Sequence, residues 1–180
     1  MTEAGDLAPG GALDAGCGHG ADALWLAFRG WRVTAVDVSP TALADARDRA
    51  MSHGDDVASR IDWVEGDLAG WSPPEECFDL VTSHYVHVPA ADHEAFVRRL
   101  ATAVALGGTL LVVGHDASGL HEGAHGSAPE AYVTADEVAA LLDPAAWKVG
   151  VAETRTRAVT GPYGQEVTLR DAVLRARRHP

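Results

Sequence analysis

Asp14, Gly16, Gly18 and Gly20 stand at every second position of the run Leu13, Asp14, Ala15, Gly16, Cys17, Gly18, His19, Gly20, after an apolar segment and before a helical one. Glycine has no Cβ, so backbone at such a turn can bend sharply and come close to a ligand. A helix over Ala21 to Arg29 would direct its free N–H groups and positive dipole end back at the same point. The turn is therefore built for a nucleotide-like molecule.

A second group with chemical potential is histidine. Ser83, His84, Tyr85, Val86, His87, Val88, Pro89 follows one apolar segment, and His115, Asp116, His121 and His125 follow another. Neutral imidazole titrates near neutrality, so these residues could line an acceptor pocket or supply a base. His84 is the candidate catalytic group because it lies nearest its strand end, and His84, His87 and His115 are the candidate substrate contacts. No spacing among the five matches a known zinc set with a third ligand, so no metal is assigned.

The glycines permit two readings. Gly16, Gly18 and Ala21 fit the dinucleotide pattern G-x-G-x-x-G/A, with Asp37 as the acidic residue roughly 20 positions on. Against that stands Asp14, two residues before the first glycine, since a carboxylate in the turn would repel a pyrophosphate and suit a cation or an amine. Cys17 reads as a small side chain in a crowded turn, because no Lys or Arg adjoins it to activate a thiolate.

These residues need a scaffold, and 180 residues suffice for a single domain with a sizeable core. Hydrophobic residues make up 47% and charged residues 22%, the balance of a globular protein. Met1 to Gly10 lacks a basic stretch followed by an apolar one, and no apolar run has the length of a membrane span, so the expectation is a cytoplasmic protein with no membrane partner. A net charge of −12 argues against broad docking on nucleic acid, and Arg175, Arg177 and Arg178 read as a solvated strand end. Two cysteines give no disulfide framework.

In chain order, strands and helices alternate. Gly11 to Asp14 ends strand one; Ala21 to Arg29 is a helix stopped by Gly30; Trp31 to Val36 is strand two. Ser39 and Pro40 open a helix running to about Met51. Ile61 to Glu65 and Phe78 to Ser83 are strands three and four. Ala91 to Leu106 is a helix closed by Gly107 and Gly108, and Thr109 to Val113 is strand five. Gly114 to Ala131 has no periodicity and reads as a long loop. Thr134 and Glu137 form a capping box for a helix ending near Leu142. Trp147 to Val159 and Val167 to Arg177 read as a hairpin turning at Gly161, Pro162, Tyr163 and Gly164.

Five βα units followed by a hairpin, with Asp14-x-Gly16-x-Gly18-x-Gly20 at the first turn, resemble the class I S-adenosylmethionine-dependent methyltransferases. Within them the chain is similar to small bacterial types such as the tellurite-resistance and thiopurine enzymes, through the Gly-Ala-Asp-Ala-Leu-Trp-Leu-Ala pattern at 20 to 27 and His-Tyr-x-His-x-Pro at 84 to 89. The resemblance covers about Leu7 to Arg178. It implies an α/β, Rossmann-like doubly wound sheet in the order 3-2-1-4-5-7-6 with strand 7 antiparallel.

It also implies site roles. Asp37 would accept hydrogen bonds from both ribose hydroxyls and Asp67 from the adenine amino group, with Val38 and Leu68 on the faces of the adenine ring. Asp14, Gly16, Cys17, Gly18, Gly20 and Ser83 would complete the cofactor wall, Asp14 and Gly16 at the methionine end. The cofactor would be S-adenosyl-L-methionine, the product S-adenosyl-L-homocysteine, and the partner a small-molecule acceptor, with the protein a monomer or homodimer. Family members carry a further segment upstream of strand one, whereas about ten residues precede it here, so residues 1–180 are expected to form one methyltransferase domain with a short or truncated N-terminal lid. Two other classes stay open: a cofactor-binding accessory protein without turnover, and an NAD(P)-dependent oxidoreductase.

Overall fold

In a computed structural model, which describes residues 2–116, 133–160 and 164–180, the chain forms a seven-stranded sheet. The strands are β1 (Gly11–Ala15), β2 (Arg32–Asp37), β3 (Ile61–Glu65), β4 (Phe78–His84), β5 (Val104–His115), β6 (Trp147–Thr160) and β7 (Glu166–Arg178). Their order is β3-β2-β1-β4-β5-β7-β6, with β1 to β5 parallel and β7 antiparallel to both neighbours. This is the doubly wound order that the motif resemblance implies.

The sheet is buried on both faces because consecutive residues of its central strands are apolar. Leu80 and Leu111 face one side, where helices α1 (Ala21–Phe28) and α2 (Pro40–Ser52) contribute Leu24, Leu26 and Leu43. Val81 and Leu110 face the other, where α4 (Ala90–Ala103) and α5 (Ala135–Ala140) contribute Phe96, Leu100 and Val138. A run such as Leu110-Leu111 can fill two cores at once only in a strand covered on both sides.

Local chemistry starts and stops the helices. Ser39 caps α2 by accepting from the Ala42 N–H at 3.2 Å, with Pro40 at its first position. At α5, the Thr134 hydroxyl accepts from the Glu137 N–H, and the Glu137 carboxylate accepts from the Thr134 N–H at 2.8 Å, a complete capping box. A short α3 (Asp55–Ala58) and a 3-10 turn at Thr2–Ala4 carry no periodic signal in the sequence.

Three expectations are corrected. The helix read as Ala91 to Leu106 ends at Ala103, because Val104 turns to extended backbone and pairs with Phe78 at the start of β4. Pairing and burial of a β-branched residue override the helical preference of the alanines around it. Among the described residues no helix links β3 to β4: Gly70 and Trp71 both donate to the Asp67 carbonyl, and Pro73 and Pro74 follow where a helix would have to grow. Trp31 does not open β2 but donates to the Leu26 carbonyl, plugging the core behind α1. Of the long loop, Gly114 and His115 belong to β5, while His121 and His125 lie outside the described residues, as do Gly161, Pro162 and Tyr163 of the hairpin turn.

Candidate active site

The glycine turn lies between the C-terminal ends of β1 and β2. Both the Gly16 and Cys17 N–H groups donate to the Val36 carbonyl, which folds the chain back over the strand end. Gly16 and Gly20 are required by the protein itself. A Cβ on Gly16 would meet Val86 at 2.1 Å, and one on Gly20 would meet the Trp63 ring at 2.5 Å. Gly18 differs, since its φ of +51° is accompanied by open space, with nothing within 4 Å of where a Cβ would stand. Of the three, Gly18 is the one at which a ligand can approach bare backbone.

Asp37 holds this turn in shape. One carboxylate oxygen accepts from the Gly18 N–H at 2.8 Å and the other from the Ser39 N–H at 2.9 Å, and each keeps a lone pair for a further donor. Val38 beside it is a large apolar side chain left 63% exposed. Across the gap, Asp67 accepts from the Ala69 N–H in a local turn and is itself exposed. Leu68 is buried in the core, next to the point where a Cβ of Gly16 would project.

A cavity of about 320 Å³ opens beside the turn, lined by Asp14, Gly16, Cys17, Ala21, Asp22, His84, Tyr85 and Val113. Asp14 is buried in its wall, and its Oδ2 has no hydrogen-bond partner among the described residues. Burial, then the charges of Asp22 and Asp37, push its pKa up to about 8 against the pull of the Ala23 backbone N–H. Such a carboxyl is costly unless a donor or cation reaches it. Cys17 is buried in the same wall, and burial followed by the charges of Asp14 and Asp37 raises its thiol pKa, so it is an inert lining group.

His84, also in the cavity lining, is clamped. Its Nδ1 lies 2.5 Å from Asp22 Oδ2 and its Nε2 lies 3.1 Å from the Thr82 hydroxyl. Burial alone would raise the Asp22 pKa, but the hydrogen bond and charge of His84 outweigh it and hold the carboxyl below its ordinary value. Thr82 and His84 share the α1 face of β4, so alternation sends Ser83 to the other side. Ser83 is buried, pairs with Val112 and is not among the residues that line the cavity.

His87 and His115 are brought together elsewhere, their rings stacked at 5.8 Å, with Tyr85 against His115 at 5.0 Å. Burial lowers the His115 pKa, so its imidazole is neutral at pH 7. Among the described residues no cluster of His, Cys, Asp and Glu is arranged to hold a metal. Three participants carry no sequence signal as site residues: Asp22, Thr82 and Asp171, the last accepting from the Tyr85 hydroxyl at 2.9 Å. The acidic first turn of α1 could have pointed to Asp22; nothing local points to Asp171.

Residues 12–108, more than half of the chain, match the family described as a methyltransferase domain. The chain belongs to that family. Among curated relatives of this chain, trans-aconitate 2-methyltransferase of Paracidovorax citrulli is 34% identical over 103 residues, covering 56% of this chain and 36% of the relative. Release factor glutamine methyltransferase of Deinococcus radiodurans is 34% identical over 169 residues, covering 92% of this chain and 57% of the relative. The chain thus spans between about a third and a little over half of the length of these relatives. The crystal structure of TehB from Haemophilus influenzae shares the fold, with a TM-score of 0.80 at 17% identity over 99% of this chain and 60% of that one.

Sequence family and fold are those of class I S-adenosylmethionine-dependent methyltransferases, whose methyl donor carries a free amine, a ribose diol and an adenine ring. The residues present fit that group. Asp14, which lines the cavity, has a buried carboxyl oxygen with no partner among the described residues, Gly18 of the adjoining turn has open space where a Cβ would stand, and Asp37 is a doubly anchored carboxylate with spare lone pairs.

Proposed function

We propose that the protein transfers a methyl group from S-adenosylmethionine to a small-molecule acceptor held beside His84, His87 and His115. The observation that carries this reading is Asp14: a residue with a buried carboxyl oxygen that has no partner among the described residues, lining a cavity also lined by His84, Tyr85 and Val113. The cavity volume is that of a small-ligand site. The relatives include both a methyltransferase named for a small acceptor, trans-aconitate, and one named for a release factor, so the size of the cavity carries the choice.

In this reading Asp14 receives the amine of the cofactor, Gly16, Cys17, Gly18 and Gly20 shape the turn that carries it, Asp37 takes the ribose hydroxyls, Asp67 the adenine amino group, and Val38 and the edge of Leu68 the ring faces. When bound, S-adenosylmethionine supplies an electrophilic methyl group on a positively charged sulfur. The chain's own contribution is alignment and exclusion of water, from rigid strand ends rather than loose loops.

His84 contacts the acceptor and is the one candidate to receive a proton from it. Asp22 accepts the Nδ1 proton, which leaves Nε2 as the basic atom, and the Thr82 hydroxyl that donates to Nε2 must rotate away before a substrate proton can take its place. An acceptor that is already anionic needs no such step.

Calorimetric titration with S-adenosylhomocysteine and, separately, NADH tests the cofactor, and a mass-spectrometric acceptor screen with methyl-labelled S-adenosylmethionine tests the reaction. The expected result is binding of the first ligand only, and a labelled small product. Binding of NADH alone would establish the oxidoreductase alternative, and cofactor binding with no product from any acceptor class would establish an accessory protein.

A further inference from the structure

Beyond the cavity, on the face of the sheet that carries α1, the guanidinium of Arg157 is fixed in place by Asp171 and remains partly exposed. His115 of β5, Asp171 of β7 and Arg155 of β6 stand side by side in the strand register, and Arg157 lies two residues along β6 on the same face. Arg157 donates its Nε to Asp171 Oδ2 at 2.6 Å and also interacts with the Tyr85 hydroxyl. Its Cζ sits 5.4 Å over the Tyr85 ring, and Tyr85 is itself part of the cavity wall.

The support for this one cation is elaborate. Asp171 is buried, with an 8% exposed side chain, and its Oδ2 accepts from both Arg157 and the Tyr85 hydroxyl. Tyr85 has φ +55°, a left-handed backbone that a bulky residue adopts only when its surroundings impose it. Arg157 remains 42% exposed, so its Nη edge is open to a ligand. Arg155 and Arg175, on the same face, are instead consumed by Glu3, Asp6 and Glu153.

We propose that Arg157 is a specificity-determining residue that binds a carboxylate group of the methyl acceptor through its two Nη groups, with Asp171 and Tyr85 as its positioning residues. The two Nη groups present a planar pair of donors, which matches the two oxygens of a carboxylate. Asp171 cancels the guanidinium charge, so the site holds a singly charged planar anion by directed hydrogen bonds, and the higher charge of a phosphate would be repelled by Asp171. Tyr85 touches both the clamp and the cavity, which links the carboxylate site to the site of methylation. The proposal rests on the methyltransferase reading and names the class of its acceptor.

The test uses the full chain saturated with S-adenosylhomocysteine, titrated with benzoate, succinate and citrate and with the matched amides benzamide and succinamide. At least one carboxylate is expected to bind, the amides not, and the dissociation constant of that carboxylate is expected to rise at least tenfold in both Arg157→Gln and Arg157→Lys. Arg157→Lys keeps a cation near Asp171, which guards against loss of fold, but lacks the planar pair of donors. If no carboxylate of the set binds, or if its affinity is the same in the parent and in Arg157→Lys, the clamp is refuted. If S-adenosylhomocysteine itself fails to bind, the cofactor assignment falls separately, and the same titrations on the ligand-free protein still decide the role of Arg157.

Discussion

Replacing Asp14 by Asn should convert a pH-dependent cofactor site into a pH-independent one. In the free protein Asp14 holds its proton up to about pH 8, because burial and the neighbouring Asp22 and Asp37 disfavour its charge. To pair with the amine of the ligand it must ionise, so binding at pH 6 to 7 releases close to one proton, and the apparent affinity for S-adenosylhomocysteine should rise about tenfold per pH unit, about 1.4 kcal/mol. The folded-state value lies above the unfolded value of 3.8, so the stability that this group contributes is complete below pH 3.8 and is lost as pH rises toward 8. An amide in its place does not titrate and has no such loss. The free Asp14→Asn variant should therefore be more stable than the parent at pH 8, by on the order of 5 kcal/mol, with the difference small at pH 4. Calorimetry in buffers of different ionisation enthalpy counts the released protons, and denaturant melts at pH 5 and 8 measure stability. The His84–Asp22 pair shares the cavity, so the variant is the control that isolates Asp14. A proton count near zero at pH 7 in the parent, or an undiminished pH slope in Asp14→Asn, refutes the reasoning.

Asp37→Ala removes the acceptor of two backbone N–H groups as well as the ribose contact, so cofactor affinity should fall by about 1.5 to 3 kcal/mol per charged hydrogen bond, with a thermal melt lowered by a few degrees; unchanged affinity would remove Asp37 from the site. Gly18→Val should strain the left-handed turn and block the ligand, while Gly20→Ala drives a methyl into Trp63 and costs about 1 to 3 kcal/mol of stability. Parent-like cofactor affinity in Gly18→Val, or a parent-like melting temperature in Gly20→Ala, would contradict these roles. His84→Ala should keep cofactor affinity and, with an acceptor that must lose a proton, slow turnover by about 10²- to 10⁴-fold, the deficit shrinking as pH rises; parent rates across pH 6 to 9 would leave His84 as lining.

What the sequence determined by itself is local: the strand end, bare turn and helix over residues 11 to 28, the acid closing β2 at Asp37, and the caps at Ser39 and Thr134. Each is set by residues within a few positions of one another. The boundary at Val104 was out of reach because its strand conformation is imposed by Phe78, 26 positions away, against the preference of its own neighbours. Only the tertiary structure decided which side of β4 faces the cavity, sending His84 to Asp22 and Ser83 into the sheet, since alternation fixes relative and not absolute direction. The clamp at Arg157 is wholly of this second kind. Its partner Asp171 lies 14 residues on, and Tyr85 86 residues before that aspartate, so the three meet only because β7 returns antiparallel between β5 and β6.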